Sequence, residues 1–553
     1  MMKLNSLMTL VALTGGMHLG AQVLDKAPPA GLVLGLDRSL VPEAVTAGLD
    51  EVAVALEDEQ RELDGMVPMY GRILPIALDP LTDGLWTELA GGDRVWRARI
   101  TSPGALALEV FFDEFRLPEG ARLYAYSPTG EHVVGGYVPS HGSRFGVFST
   151  EQVPGGSCIL EYHHPAGTAL ERPFRVSGVA HAYRDLGGQK AQDCEVDIIC
   201  SPEGDDWQDE ADGVVRIRVV DSGSVGYCSG SLVNNTAQDC APYILTALHC
   251  GITASNSDFN QWKFYFQYER TGCDLGPAFL NKVLTGCTRL ADSNDGGGDN
   301  GSDFLLVEAD PVPASFDPYW NGWNTSTSAS SSGVSIHHPD GDEKKISTYT
   351  TTLQAISLGA PQASHWRVFW TGTPNGHGVT EGGSSGSPLF DPNGRIVGTL
   401  TGGSSYCNSV VPGGQLQPDF YGRMSYHWTS NPNPANEKLK VWLDPLNSGV
   451  TVLDGSRNPC SPSGVSDLAA QFAPMLLPNP ATDRLFVELP EGLVTVDRVE
   501  VLDLSGRILL SERPTTTGSM WLDVSRLSAG SYLVRITQNG FAQGAARFVV
   551  ERR

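Results

Sequence analysis

Gly382-Gly-Ser-Ser-Gly-Ser-Pro-Leu389 is the segment from which the rest of this 553-residue chain is best interpreted. Glycines on both sides of the serines let the backbone turn tightly and present amide N–H groups to one point. Amides arranged in this way stabilise the oxyanion that forms when a hydroxyl attacks a carbonyl carbon. We therefore expect Ser385 to be a nucleophile, with the backbone amides of Gly383 and Ser385 as its oxyanion hole.

Two more segments of the same region supply a base and an acid. His249 ends the apolar segment Ile244-Leu-Thr-Ala-Leu-His249, and Asp303 precedes the hydrophobic segment Phe304-Leu-Leu-Val307. A serine hydroxyl is a poor nucleophile until a base takes its proton, which is the role expected of His249. A buried Asp303 would hold the imidazole in the required tautomer and stabilise its charged form.

The order of these three residues matters more than any one motif. Each segment alone is more often structural than catalytic, but histidine, aspartate and serine follow one another here as they do in chymotrypsin-fold peptidases. The region around them is dense in Gly, Ser, Asn and short β-branched runs such as Val214-Val-Arg-Ile-Arg-Val-Val220. That pattern is typical of an all-β barrel or sandwich, so we predict a mainly β protein.

The composition excludes several classes of protein. Asp and Glu number 63 against 38 Lys and Arg, a formal net charge of −25 without any basic run, so nucleic acid is not an expected partner. Hydrophobic residues make up 41% and charged residues 18%, with 63 glycines and 36 prolines, as in a β-rich globular chain rather than a coiled coil. Residues 191–460 carry 30 acidic and 14 basic side chains, a net charge of −16, which favours a cationic substrate.

The N-terminus predicts export. Lys3, an apolar stretch over residues 7–13, and small residues at Gly20 and Ala21 are typical of a secretory signal peptide, which we assign to residues 1–21. No later segment reaches the roughly 18 consecutive apolar residues of a membrane span. Ten cysteines in an exported chain predict disulfides. We expect a secreted protein, either extracellular or attached to the outer cell surface.

The chain after the leader divides into three parts and a linker. Residues 22–190 contain short alternating segments, such as Ala121-Arg-Leu-Tyr-Ala-Tyr126, and no catalytic spacing. Residues 191–460 hold the three motifs described above. A turn-rich linker at 461–474 leads to residues 475–553, where strand-like pieces separated by Gly and Ser turns predict a small β-sandwich.

Longer motifs in residues 191–455 resemble the bacterial lysyl endopeptidase family of secreted serine peptidases. They are Cys194-Glu-Val-Asp-Ile-Ile-Cys200, Gly230-Ser-Leu-Val-Asn-Asn-Thr236, Ile336-His-His-Pro339, Gly378-Val-Thr-Glu381 and Gly383-Ser-Ser-Gly-Ser-Pro388. The resemblance implies a trypsin-like double β-barrel that cleaves peptide bonds after lysine through an acyl-enzyme. The family's catalytic triad falls on His249, Asp303 and Ser385, the residues reached above from their chemistry.

The resemblance also implies a set of disulfides. The family's pairs fall on Cys194 with Cys407, Cys200 with Cys273, and Cys228 with Cys250. We pair the remaining Cys240 with Cys287, and we assign no partner to Cys158 or Cys460.

Substrate preference is expected to depend on Asp419. It matches the aspartate that lines the family's primary specificity pocket, where a buried carboxylate needs a cationic side chain as its partner. The histidine and tryptophan that stack beside this pocket in the best-known members are replaced here by Thr401 and by Leu358 or a neighbour. We therefore expect cleavage after basic residues, and we leave open whether lysine is preferred to arginine. The alternative interpretation of Asp419 is an acid on a solvated loop.

Residues 22–190 resemble the family's removed propeptide. Lys190-Ala191 lies just before Cys194, so an enzyme that cuts after lysine could release its own mature amino terminus there. Trypsin-like zymogens usually trap the new amine with an acid just before the nucleophile, but Ser384 occupies that position here. We expect activation to depend instead on removal of a blocking prosegment.

The C-terminal part resembles the sorting domain of the bacterial type IX secretion system. Its motifs are Leu477-Pro-Asn-Pro-Ala-Thr-Asp483, Val501-Leu-Asp-Leu-Ser-Gly-Arg507, Leu522-Asp-Val-Ser-Arg-Leu527 and Ala529-Gly-Ser-Tyr532. The resemblance implies transport across the outer membrane by the type IX machinery. The alternative, a carbohydrate-binding β-module, is less favoured because the sequence has no row of aromatics for it.

Three clusters were weighed as ligand sites. The Asp- and Asn-rich loop at 292–300 has oxygen ligands for calcium, but its spacing is not that of an EF-hand and a solvated loop is favoured. His163 and His164 lack a further Cys or His pair, and His337 and His338 belong to a motif that is not catalytic in the family. We therefore predict no metal or cofactor, peptide substrates with basic residues, and a monomer. The competing interpretation is an inert surface adhesin on a peptidase scaffold.

Overall fold

Two compact units, which divide after Arg457, make up the described part of the chain in the computed structural model. The described residues are 22–23, 27–184, 193–359, 363–408, 414–434, 437–460, 474–489, 496–503, 507–514, 519–538 and 541–552. Most regular elements are strands, so the predicted mainly β class is confirmed. Within these ranges, no helix is long and apolar enough to cross a membrane.

The N-terminal region, residues 22–184 as far as they are described, contains twelve strands and two helices. They are β1 (Gln22–Val23), α1 (Ala30–Val33), β2 (Glu43–Val45), α2 (Glu51–Leu63), β3 (Met69–Leu78), β4 (Leu85–Glu88), β5 (Arg94–Thr101), β6 (Ala107–Asp113), β7 (Arg122–Tyr126), β8 (Val133–Tyr137), β9 (Phe148–Ser149), β10 (Val153–Pro154), β11 (Ser157–His164) and β12 (Arg175–Ala182). One sheet has the order β1-β8-β7-β11-β5-β2, with β4 beside β5. Its core is aromatic, with Trp96, Phe112 and Phe174 fully buried.

The central region, residues 193–457 as far as they are described, adds seventeen strands and four helices. They are β13 (Val196–Asp197), α3 (Gln208–Gly213), β14 (Val214–Asp221), β15 (Ser224–Leu232), β16 (Tyr243–Ala247), α4 (Asn256–Phe259), β17 (Lys263–Phe266), β18 (Val283–Thr285), β19 (Cys287–Asp292), β20 (Phe304–Ala309), β21 (Gly322–Asn324), β22 (Gly333–His337), β23 (Lys345–Tyr349), β24 (Gln354–Ile356), β25 (His365–Val368), β26 (Pro388–Phe390), β27 (Arg395–Gly403), β28 (Asp419–Arg423), α5 (Met424–Thr429), α6 (Leu439–Leu443) and β29 (Val452–Leu453). Strands β14 to β20 belong to one sheet, and a second sheet has the order β13-β23-β22-β26-β27-β28-β25-β24 with β21 and β29 attached. Two sheets are what a double barrel requires.

The first of these sheets continues into the N-terminal region. β3 pairs antiparallel with β15, which places Met69 opposite Gly226, and β12, β6 and β10 extend the sheet beyond β3. A Cβ at Gly226 would lie 2.8 Å from the Pro68 carbonyl oxygen, so this approach requires glycine. The N-terminal and central regions are therefore joined by backbone hydrogen bonds within one unit.

Large apolar side chains fill the interior of the central region. Strand β14 is buried along its whole length, because β15 and β17 pair with its two edges and other elements cover its faces. Trp323 is fully buried, its ring centroid lies 4.7 Å from that of Trp428, and its indole N–H donates to the Asn234 carbonyl at 2.8 Å. This packing holds the strand ends on which the predicted catalytic residues lie.

The C-terminal region forms the second unit. Its strands are β30 (Met475–Leu477), β31 (Arg484–Glu488), β32 (Arg498–Leu502), β33 (Ile508–Glu512), β34 (Ser519–Asp523), β35 (Gly530–Gln538) and β36 (Phe541–Val550). They form two sheets, β30-β31-β34 and β33-β32-β35-β36, around a core that includes Leu485, Val501 and Phe548. The predicted small β-sandwich is confirmed.

The cysteines follow the family's pattern with one correction. Disulfides join Cys194 to Cys407, Cys200 to Cys273 and Cys228 to Cys250, which are the pairs that the resemblance implies. The predicted pair of Cys240 with Cys287 is wrong: Cys240 is in a disulfide, as is Cys460, whereas Cys287 is a free thiol in the core beside Phe259. Cys158 is also free, and burial raises its pKa to about 12.

We expect Trp323→Ala to destabilise the central region, because it leaves a cavity and removes the donor to Asn234. Truncating a fully buried aromatic side chain costs about 3–5 kcal/mol. The guanidinium chloride midpoint, measured in a Ser385→Ala background to prevent autolysis, reports the loss. Phe279→Ala is the control, since Phe279 is 50% exposed; equal shifts in both variants would contradict the packing described here.

Candidate active site

His249 and Asp303 are brought together by the pairing of β16 with β20. Ala247 lies opposite Phe304 in this antiparallel pair, so the residues that follow β16 meet the residue that precedes β20. His249 Nδ1 lies 2.6 Å from Asp303 Oδ2, and the His249 backbone N–H donates to Asp303 Oδ1 at 2.9 Å. Both side chains are buried. An aspartate that accepts from Nδ1–H leaves Nε2 as the basic nitrogen of the ring.

The turn before β20 holds Asp303 in an uncommon backbone conformation. Its φ is +57°, in the left-handed region that aspartate tolerates better than most residues. The Ser302 backbone N–H donates to Asp295 Oδ2 at 2.6 Å, and Asp295 Oδ1 accepts from the Ser293 hydroxyl at 2.6 Å. A Cβ on Gly297 would lie 3.4 Å from Asp303 Oδ1. The Asp- and Asn-rich loop therefore supports the catalytic turn with its own carboxylate.

Ser385 lies beside the turn that carries His249. Its carbonyl oxygen accepts from the Ser229 backbone N–H at 2.8 Å and lies 3.8 Å from the sulfur of Cys250, the residue after His249. Ser385 itself is partly exposed, as a residue that meets substrate must be. The disulfide of Cys250 with Cys228 joins this turn to β15, which also contains Ser229.

Two glycines allow the nucleophile segment to approach its neighbours. A Cβ at Gly386, whose φ is +81°, would lie 2.1 Å from the Thr246 hydroxyl oxygen. A Cβ at Gly383, whose φ is +85°, would lie 2.9 Å from the Gly341 nitrogen. The Gly383 carbonyl accepts from the Ser229 hydroxyl at 2.9 Å. The peptide plane beside the predicted oxyanion hole is therefore fixed on one side by a buried serine.

Asp419 is a buried carboxylate with four hydrogen bonds. Its Oδ2 accepts from Trp370 Nε1 at 2.6 Å, from the Thr380 hydroxyl at 2.8 Å and from the Ser405 hydroxyl at 2.5 Å, while Oδ1 accepts from the Ser405 N–H at 3.0 Å. Its exposed fraction is 0%. Burial raises the pKa of Asp419, although the hydrogen bonds from Ser405, Trp370 and Thr380 oppose that rise. The alternative of a solvated loop acid does not fit this environment.

Two further carboxyl groups, Glu195 and Glu381, lie near Asp419. One ligand atom of each lies within 4.8 Å of the other, and the Cys407 sulfur lies within the same distance, but its disulfide prevents it from binding a metal. Burial raises the pKa of Glu195 well above its usual value, and Glu381 and Asp419 add to that rise. The surroundings of Asp419 are therefore acidic.

The residues that hold Asp419 were not predicted from the sequence. Trp370 and Ser405 follow β25 and β27, which both pair with β28, and β28 begins at Asp419; the Thr380 backbone N–H donates to the Ser405 hydroxyl at 3.1 Å. A single tryptophan, threonine or serine carries no signal of such a role. Thr401, expected beside the pocket, has its hydroxyl 3.0 Å from His365 Nε2.

The remaining predicted positions either lie outside the described residues or make structural contacts. Lys190 and Ala191, the predicted processing site, lie outside the described residues. His163 is bonded to Asp93 at 3.1 Å, and His164 to the Tyr162 hydroxyl at 3.0 Å, so both make structural contacts in the N-terminal region.

Two family models match separate regions of the chain. Residues 188–422 match the family described as lysyl endopeptidase, C-terminal domain, and residues 475–551 match the secretion system C-terminal sorting domain. A lysyl endopeptidase from Pseudomonas aeruginosa is 31% identical over 239 residues, which cover 41% of this chain and 48% of the relative. The chain thus spans about half the length of this curated relative.

Two solved structures show lower similarity. The thermostable serine protease AL20 from an extremophilic microorganism is 15% identical, with a TM-score of 0.28 over 39% of this chain and 92% of that chain. Protease Anisep from Arthrobacter nicotinovorans is 17% identical, with a TM-score of 0.27 over 38% and 90%.

One family match falls in the central region and the other in the C-terminal region, which the sequence motifs and the structure also separate. The sorting domain indicates a protein that is secreted or attached to the cell surface. The central region is therefore similar to the C-terminal domain of lysyl endopeptidases, and the C-terminal region to secretion-system sorting domains.

Proposed function

We propose that this protein is a secreted serine endopeptidase that hydrolyses peptide bonds after lysine. The observation that carries the proposal is the buried pair of His249 and Asp303, 2.6 Å apart, beside the Ser385 segment. In this mechanism His249 Nε2 takes the Ser385 hydroxyl proton while Ser385 Oγ attacks the scissile carbonyl carbon. The amides of Gly383 and Ser385 stabilise the oxyanion, the leaving amine receives the proton from His249, and water then hydrolyses the acyl-enzyme.

Asp419 supports a cationic side chain at the cleavage position. A carboxylate that is fully buried and lacks a cation is costly, and a substrate ammonium would supply the missing charge. Three donors already occupy Oδ2, whereas among the described residues the donor to Oδ1 is the Ser405 backbone N–H. A guanidinium favours bidentate binding to both oxygens, while an ammonium acts as a point charge. This asymmetry favours lysine over arginine.

The N-terminal region supports a zymogen. The Pro68 ring lies 3.1 Å from the position that a Cβ on Gly382 would occupy, so residues just before β3 lie against the nucleophile segment. The Tyr70 ring stacks on Tyr227 with centroids 4.9 Å apart. A segment in this place obstructs the approach of a substrate to Ser385.

Buried ion pairs hold the two regions together. Arg218 pairs with Glu109 at 2.9 Å, and Lys263 pairs with Glu151 at 2.8 Å, each with one partner from each region. Burial lowers the pKa of Lys263, and Glu151 opposes this shift. Because a buried charge without its partner costs several kcal/mol, these pairs favour a closed complex until the N-terminal region is cleaved and removed.

We expect Ser385→Ala and His249→Ala each to abolish hydrolysis of a lysyl ester by the mature protein. In a triad that acts as a unit, loss of either residue lowers kcat by roughly 10⁶-fold. Steady-state kinetics on protein matured in trans measure the effect. Ser257→Ala, at an exposed serine, is the control. Full activity of Ser385→Ala would contradict the role of Ser385 as nucleophile, whereas no hydrolysis by the mature wild-type protein would favour a binding protein on this scaffold.

We expect Asp419→Asn to lower kcat/KM for lysyl substrates by about 10²- to 10³-fold, the cost of losing one partner of a buried ion pair. Hydrolysis of an ester with a neutral side chain should persist. Asp444→Asn is the matched control, because Asp444 is also buried and bonded to Thr236 and Ser448. An unchanged ratio of lysyl to neutral ester hydrolysis in Asp419→Asn would contradict this role.

The same carboxylate predicts a pH dependence. Burial raises the pKa of Asp419, so its protonated form, which cannot neutralise a cation, appears at a higher pH than for an ordinary aspartate. As the pH falls through that pKa, kcat/KM for a lysyl ester should fall more steeply than for a neutral ester. The ratio of the two pH profiles removes the shared contribution of His249. A ratio independent of pH down to acid inactivation would contradict the prediction.

We expect Lys190→Ala to slow maturation, because it removes the predicted cleavage site. The wild-type mature protein should begin at Ala191, as N-terminal sequencing of the secreted form measures. Lys26→Ala is the matched control, since Lys26 is the other lysine of residues 22–190. Unchanged processing of Lys190→Ala would exclude self-cleavage at this site.

A further inference from the structure

We propose that His337 is a positioning residue of the proposed peptidase, and that it holds the oxyanion loop, residues 381–385, in its active arrangement through Ser384. The inference rests on the proposed function, because the loop contains the amides and the serine assigned to it. Ser384 occupies the position where trypsin-like zymogens place an acid, so another contact must fix the loop. His337, at the end of β22, supplies that contact.

A chain of hydrogen bonds runs through His337 and returns to the segment before the nucleophile. His337 Nδ1 lies 2.8 Å from the Ser384 hydroxyl oxygen, and Nε2 lies 3.0 Å from that of Ser347 on β23. The Ser347 hydroxyl donates to the Val379 carbonyl at 2.8 Å, and the Glu381 backbone N–H donates to the Ser384 hydroxyl at 3.3 Å. Both ends of this relay therefore lie between residues 379 and 384.

The protons of the relay have one consistent arrangement. The single hydroxyl proton of Ser347 is given to Val379, so Ser347 Oγ accepts from His337 Nε2–H. Nδ1 is then unprotonated and accepts from the Ser384 hydroxyl. The Ser384 oxygen remains available as the acceptor for the Glu381 N–H. A neutral imidazole in one tautomer thus satisfies each group, whereas a protonated one would lose the bond from Ser384.

The surroundings of His337 favour this neutral form. Its side chain is 0% exposed, and burial, with a smaller contribution from Lys345, lowers its pKa to about 3. The nearest carboxyl group is that of Glu195, with Oε2 3.9 Å from Nε2. Burial raises the pKa of Glu195 well above its usual value, so this group provides little negative charge to protonate the imidazole.

The relay adjoins both parts of the proposed site, the surroundings of Asp419 and the segment of Ser385. Thr380, between the two ends of the relay, donates to Asp419, and Ser384 precedes the nucleophile. Ser384 is fully buried, so its hydroxyl meets no substrate, and its bond to His337 constrains the peptide unit that supplies the Ser385 amide. The relay is already complete while the N-terminal region is attached, so it needs no freed amino terminus.

The test compares Ser384→Ala, His337→Ala and the double variant as mature enzymes on a lysyl peptide substrate. We expect each single change to lower kcat by about 10- to 100-fold, somewhat less than loss of an oxyanion donor itself. KM should stay within about twofold, because the ground-state contacts of the substrate are unchanged. The double variant should lose no more than the worse single variant, since both changes break the same relay.

The affinity of an inhibitor provides a second measurement. It should not change if the role of His337 is merely structural. A lysyl peptide aldehyde forms an oxyanion on reaction with Ser385, so its affinity should fall in parallel with kcat. Asn234→Ala is the matched control, because Asn234 is 1% exposed and its side chain also makes two hydrogen bonds, to Asp454 and Asn235. This control should keep kcat and aldehyde affinity within about twofold.

Ser384→Ala removes one oxygen atom and should fold, so the test does not depend on the larger change at His337. The inference would be overturned if kcat were unchanged in Ser384→Ala, or if KM rose by as large a factor as kcat fell. Additive losses in the double variant would also overturn it. Inactive wild-type mature enzyme would instead overturn the proposed function. Active wild-type enzyme with an unaffected Ser384→Ala variant would overturn only the role of His337.

Discussion

The hydrogen bond between His249 and Asp303 is the interaction around which the central region is organised. A carboxylate with no exposure to water is stable only if the chain supplies donors, and here the imidazole and the backbone of His249 supply them. The pairing of β16 with β20 places these groups, and Asp295 supports the turn behind them. The left-handed backbone of Asp303 is held by the same contacts.

Close backbone approach is the second constraint. The segment around Ser385 approaches β16 closely only because Gly386 leaves room for Thr246, and buried hydroxyls bond to its Gly383 carbonyl and to Ser384. Charged groups are used instead for the pocket, where Asp419 is buried, and for the contact between the N-terminal and central regions. This division would suit the proposed peptidase, in which residues 381–385 stay rigid while the N-terminal region is released.

The sequence predicted the parts of the candidate site that repeat a known chemical pattern, and the structure brings His249 and Asp303 together. The motifs around His249, Asp303 and Ser385 each combine a reactive side chain with a strand or a glycine turn, so their roles could be inferred locally. Asp419 required the family resemblance, because an isolated aspartate has no local signal. The mainly β class and the three family disulfides were also accessible in this way.

The groups that hold the site were not accessible from the sequence. Ser229, His337 and Trp370 contact residues 47 to 154 positions away, which only the register of the strands brings together. His337 was interpreted as structural because its motif is not catalytic in the family that the sequence resembles. The wrong pairing of Cys240 with Cys287 has the same origin, since elimination among leftover cysteines cannot show that Cys287 lies in the core.

Trapping of the acyl-enzyme is the most direct test that Ser385 is the nucleophile. Mature protein is mixed with a lysyl p-nitrophenyl ester, quenched with acid, digested and analysed by mass spectrometry. We predict one lysyl acyl group on the peptide that contains Ser385, and no such adduct in the His249→Ala protein. An adduct on another residue, or rapid hydrolysis without any adduct on Ser385, would contradict it.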